Sequence, residues 1–131
     1  MIKKQGASVN AKAEKRLVIV TTAWLRWYHD RDEYDRGEFL GSIPLMLIFA
    51  VVPARMKTGN PNCFSISTAS WYSGKSDKEK DKRDFYFAPE SENERDEWIA
   101  AIEFLRTKAI YENFARQNCA VSFPIKMEDD D

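Results

Sequence analysis

Histidine is nearly absent: His29 is the only one in 131 residues. A Ser–His or Cys–His catalytic pair would have to use it. It stands at the end of an apolar run beside a charged stretch, which is the setting of a solvated turn residue. Cysteine is almost as scarce. Cys63 and Cys119 lack metal-ligand spacing, and one histidine cannot complete a zinc set. With no secretory segment, the two thiols point to a reducing, intracellular setting, and Cys63 reads as a small core residue. The five glycines form no phosphate-cradling loop of the nucleotide-binding kinds. The most apolar stretch, residues 43–52, is about half of a membrane span and contains Pro44. Residue 2 is Ile, so no myristoylation signal is expected. No charge of one sign dominates either. The 20 basic and 21 acidic side chains leave a net −1, which excludes a generally cationic nucleic-acid coat. Aromatics do not alternate with basic residues as a single-strand platform requires. The acidic stretches at 30–35 and 128–131 lack the glycine and alternating ligands of a calcium loop. No convergent acid, base or nucleophile remains, so neither an enzyme nor a cofactor holder is expected.

What is present suits one domain. At 131 residues and 44% hydrophobic composition, the chain can bury a core without a staple. Residues 1–5 read as a short strand ended by Gly6, and 7–13 as a small, polar loop. The β-formers of 15–28 read as two strands, 15–21 and 24–28, around a turn near Thr22. Residues 29–38 read as an exposed loop. Two short strands follow around Pro44, at 39–45 and 48–52, and Gly59-Asn60-Pro61 marks a turn. Phe64 and Ile66 alternate in a half-buried strand over 63–68. Residues 71–82 read as a charged loop, and Phe85 and Phe87 alternate in a seventh strand over 84–88.

The period then changes. Ser91 with Glu94 forms a capping box, and acidic side chains crowd the positive end of the helix that it starts. Trp98, Ala101, Ile102, Leu105 and Ala109 make one apolar stripe of a helix reaching about Gln117. Seven strands and then a helix give an α+β chain: a strongly bent antiparallel sheet, sandwich- or barrel-like, capped by the C-terminal helix. The domain is expected over 1–116, with 117–131 as a tail in which Val121, Phe123 and Ile125 alternate.

Three segments carry a family resemblance. Arg16-Leu-Val-Ile-Val-Thr followed by Leu25-Arg-Trp-Tyr is similar to a second and third strand. Gly41-Ser-Ile-Pro-Leu45 is similar to a fourth. Residues 85–102 are similar to a last strand, an acidic connection and a helix bearing a hallmark tryptophan, here Trp98. In this order they resemble the pleckstrin homology (PH) domain family over about residues 1–114. The resemblance implies a seven-stranded bent sandwich in which Trp98 fills the gap between helix and sheet.

It also implies a ligand site. Membrane-binding members line the opening between their first two strands with basic side chains, which suit phosphate oxygens. The matching positions are Lys3 and Lys4 on the first strand, Lys12 and Lys15 in or beside the loop, and Arg16 on the second strand. Arg26 lies at the edge. All are expected to converge on one rim, with Val9 at the loop tip available for shallow insertion. Glu14 stands two before Arg16, where phosphoinositide binders carry a basic residue, and Trp27 replaces a tyrosine hydroxyl. Both changes turn the expectation toward a smaller anionic headgroup, such as phosphatidic acid, beside phosphoinositides. At about 1 kcal/mol per cation near an anionic surface, five cations less one acid give roughly 4 kcal/mol, about millimolar. A reversible, cytoplasmic membrane module assisted by a second contact is therefore expected. The alternative is a PH-like protein-interaction module using the long helix, the Trp71-Tyr72 loop or the tail.

Overall fold

The computed structural model describes residues 2–6, 12–55, 59–69, 71–72, 79–80 and 83–121, with backbone alone for 71–72, 79–80 and 117–121. The strands are β1 (Ile2–Gln5), β2 (Ala13–Val20), β3 (Trp24–Tyr28), β4 (Gly41–Pro44), β5 (Ile48–Ala54), β6 (Cys63–Thr68), β7 (Trp71–Tyr72), β8 (Glu79–Lys80) and β9 (Arg83–Ala88). The helices are α1 (Arg31–Arg36) and α2 (Glu92–Val121), with one 3-10 turn at Leu45–Leu47. Seven strands form one antiparallel sheet in the order β4-β3-β2-β1-β9-β6-β5. Its bend is built into β2. That strand pairs with β1 through Ala13–Arg16 and with β3 through Leu17–Val20, so it belongs to both halves of the sheet.

The concave side holds the core. Leu25, Ile43, Leu45, Phe64, Ile66, Phe87 and Ile102 are wholly buried. Phe64 stacks on Phe87 at 5.7 Å between ring centroids. α2 packs across the 3-10 turn, β5 and β6. Arg106 ties the two together, donating from Nη1 to the Ile48 carbonyl at 2.8 Å.

Differences from the sequence reading have local causes. Residues 29–38, expected as a loop, contain α1. Its signal is capping chemistry: Asp30 Oδ1 accepts from the Glu33 amide at 3.0 Å, and Gly37 ends the helix at φ 74°. α1 buries none of its residues, so no apolar period announces it. The charged loop over 71–82 holds the two-stranded ribbon β7–β8. β6 is buried on both faces rather than one, because Cys63 and Ala88 form a second small cluster covered by Ala13, Ala54 and Tyr86. At the start of α2, Ser91 Oγ accepts from the Glu94 amide at 3.2 Å as the capping box requires, but Glu94 Oε1 reaches back to the Glu90 amide. α2 continues to Val121, so the expected tail begins inside it. Within the apolar stripe, Ile102 and Ala109 are buried, Ala101 is exposed, and Trp98 is half-buried. Trp98 stacks on Phe64 at 6.4 Å while one side remains open; Ile102, not Trp98, is the full plug.

Candidate functional site

Side chains alternate across a strand. In the β1–β2 pair, Lys3 stands opposite Lys15, and Lys4 opposite Glu14. The pleat therefore divides the expected cations between two faces, and the single rim is not what forms. Lys4, Lys12 and Arg16 line an inner hollow of about 360 Å³ with Gly6, Glu14, Trp27 and Leu40. Lys3 and Lys15 line an outer hollow of about 340 Å³ with Asn60, Asn62, Ala88, Pro89 and Glu90. Arg26 joins neither. Its guanidinium lies between the rings of Trp24 and Phe39, at 4.0 and 4.2 Å from their centroids, and donates from Nε to Ser42 Oγ at 3.1 Å. That sandwich fixes β3 against β4 and leaves Arg26 a scaffold residue. Val9 lies outside the described residues.

Lys4 is the unusual group of the inner hollow. Its ammonium lies 4.6 Å from the Trp27 ring centroid, 5.8 Å from that of Phe85 and 5.9 Å from that of Phe87. It donates to the Gln5 carbonyl at 3.2 Å. Burial, and then repulsion from Arg83 and Arg16, lower its pKa from 10.5 to about 8. The aromatic faces soften the loss of water without supplying a counter-ion. Arg16 is held within the chain: Nη2 meets Glu14 Oε1 at 3.0 Å, and Nη1 donates to the Lys15 carbonyl at 2.7 Å. Glu14 is the one carboxylate among the hollow's lining residues, and it neutralises the cation best placed for a ligand.

Sequence reasoning missed Arg83, whose guanidinium lies 4.4 Å from the Phe85 centroid and whose charge reaches Lys4. The sheet order, which sets β9 beside β1, was the missing information. It also missed Asn60 and Asn62, which were read only as turn chemistry. Asn60 Oδ1 accepts from the Asn62 amide at 2.9 Å, and Asn62 Nδ2 donates to the Glu90 carbonyl at 3.2 Å, so the turn is fixed beside the outer hollow. Among the described residues, no group of His, Cys, Asp and Glu could hold a metal ion. Among them too, no helix is long and apolar enough to cross a membrane.

A bent seven-stranded antiparallel sheet with a C-terminal helix matches the expected fold, and the family comparison decides it. The family model for the PH domain matches residues 1–106. The chain belongs to the PH domain family. Solved structures agree in fold. The Slm1 PH domain in complex with D-myo-inositol-4-phosphate has a TM-score of 0.59 at 13% identity, covering 79% of this PH domain's chain and 91% of its own. A second Slm1 PH structure, described as binding its ligand at a site other than the usual one, has the same score and identity and covers 80% and 92%. The human KIAA0053 PH domain has a TM-score of 0.55 at 21% identity, covering 82% and 83%. Among curated proteins, none matches the chain.

Proposed function

We propose that this PH domain is a non-enzymatic module that binds phosphate-bearing headgroups of anionic membrane lipids in the inner hollow. It would act at the cytoplasmic face of a membrane and associate reversibly. One observation carries the reading: Lys4, Lys12 and Arg16 line a single hollow of about 360 Å³ in which Glu14 is the one carboxylate. Like charges held together in a half-buried hollow repel, and an arriving phosphate converts that repulsion into charge-assisted hydrogen bonds. The inositol phosphate bound by the Slm1 PH domain supports the ligand class.

Headgroup size follows from Glu14 and Trp27. A carboxylate beside Arg16 and an indole in place of a hydroxyl leave few donors for several phosphates at once. This favours a single phosphate, as in phosphatidic acid or a monophosphorylated inositide. The outer hollow is a second anion seat on the same reading, since Lys3 and Lys15 face each other without a counter-ion among the described residues.

Vesicle sedimentation tests the reading. The chain should pellet with vesicles containing phosphatidic acid or phosphatidylinositol 4-phosphate and remain in solution with neutral phosphatidylcholine. Equal pelleting with neutral and acidic vesicles would overturn it. Lys4→Met with Arg16→Gln should remove most binding. Binding that survives this pair but is lost with Lys3→Glu and Lys15→Glu would move the site to the outer hollow.

A further inference from the structure

A third hollow among the described residues, about 580 Å³, is larger than either of these. It runs between β2 and the first turns of α2. Ile2, Leu17, Val18, Val20 and Trp98 give it an apolar lining, with the exposed Ala101 beside them. Its rim carries Glu90, Glu94 and Glu97. On α2, Glu94, Glu97, Trp98 and Ala101 stand at the spacing i, i+3, i+4, i+7, so one helix face presents the acids and the indole together.

The carboxylates are not all explained by the helix. Glu94 sits in the first turn, where the macrodipole favours an acid, and it also accepts from the Glu90 amide at 3.1 Å. Glu97 lies in the second turn, beyond the reach of that effect. None of the three carboxylates has a cation within 4.0 Å among the described residues, although Arg95 nearby pairs with Glu92 and Asp96. Trp98 completes the pattern: one side stacks on Phe64, and the other lines the groove. A half-exposed indole on a fixed helix is an anchor of the kind that interfaces favour.

We propose that this groove docks a basic segment of a partner protein, with apolar side chains on the floor and Lys or Arg against Glu94 and Glu97. Charge complementarity chooses this occupant. The chain's own residues 128–131 are acidic and would be repelled. The volume suits two or three side chains of a peptide rather than a folded domain. The groove shares no lining residue with the inner hollow and only Glu90 with the outer one, so the docking does not depend on lipid binding in the inner hollow.

The test is selection of a random phage-displayed peptide library on the immobilised full chain, followed by titration of the selected synthetic peptides into ¹⁵N-labelled protein. Selected peptides should carry net positive charge with apolar anchors, and amide shifts should centre on Val18, Val20, Trp98 and Ala101. Glu94→Lys with Glu97→Lys changes only exposed side chains and should weaken binding about tenfold, as should Ala101→Arg, which fills the groove. Lys4→Met with Arg16→Gln should leave peptide binding unchanged. Failure to enrich any peptide, peptides without basic bias, or shifts confined to the cationic hollows would each overturn the proposal. So would a concentration-dependent dimer in sedimentation velocity that Glu97→Lys abolishes, because the groove would then hold a second copy.

Discussion

The ammonium of Lys4 lies 4.6 Å from the centroid of the Trp27 ring, and the absence of a side chain at Gly41 lets that ring stay where it is. Gly41 pairs with Trp27 across β3 and β4, and a methyl group built on it would overlap the indole. Gly41→Ala should therefore tilt Trp27 away from Phe85 and Phe87 and destabilise the fold by about 1–3 kcal/mol, the usual range for overpacking. Thermal unfolding with tryptophan fluorescence checks both effects. An unchanged melting temperature and emission maximum would contradict this placement of the indole.

Lys4 gives the inner hollow a pH dependence with a definite sign. Its folded pKa of about 8 lies below the unfolded value of 10.5. Between these values the unfolded chain holds more protons, so the contribution of Lys4 to stability rises with pH across that window and is flat outside it. Anion binding works in the opposite direction. A bound phosphate favours the charged ammonium, so affinity for acidic vesicles should fall from pH 7 to pH 9. The other charged groups lining the hollow are Lys12, Glu14 and Arg16, and Arg83 acts on Lys4 from β9. Lys4→Met should bind more weakly at pH 7, with most of the pH dependence removed. The same steep decline in Lys4→Met would assign it to another group.

Glu14 acts as an internal competitor for Arg16. Glu14→Gln should release the guanidinium and strengthen binding to phosphatidic acid vesicles several-fold, while leaving stability nearly unchanged because the pair is largely exposed on its carboxylate side. Weaker binding after the substitution would show that the ion pair positions Arg16 for the ligand.

Ile102 closes the core from α2. Ile102→Ala should lower stability by about 2–5 kcal/mol in chemical denaturation. Trp98→Ala should cost less than a fully buried tryptophan would, because the indole keeps one open side. An equal or larger loss at Trp98 would mean that the groove closes over it in solution.

Cys63 should be inert. Burial pushes its thiol up to about 11, and the side chain is wholly inaccessible. In a Cys119→Ser background, Ellman's reagent at pH 8 should leave the folded chain unlabelled and titrate one thiol after denaturation. Rapid labelling of the native chain would contradict its burial.

Much of this architecture is legible in the sequence where hydrophobic period is strong. Phe85 and Phe87, the β-rich run ending at Tyr28, and the stripe through Ile102 placed the seven main strands and the helix to within a few residues. Elements held by polar chemistry were harder to see. α1 rests on Asp30 and Gly37, and β7–β8 on pairing between two-residue strands. The candidate site was half legible. Residue types and positions marked the cations of the first two strands. Their division between two hollows needed the register of Lys3 with Lys15, and Arg83 needed the neighbour of β1. Arg26 looked like its neighbours in sequence, but Trp24 and Phe39 claim it.

Because β2 serves both halves of the sheet, its phase has unusual leverage. Inserting one residue between Lys15 and Arg16 would invert the β1-paired half of the strand while β3 held the other half in place. Lys15 would then point inward and Glu14 outward. With an uncharged insert the domain would keep its net charge yet exchange the electrostatic character of its two surfaces.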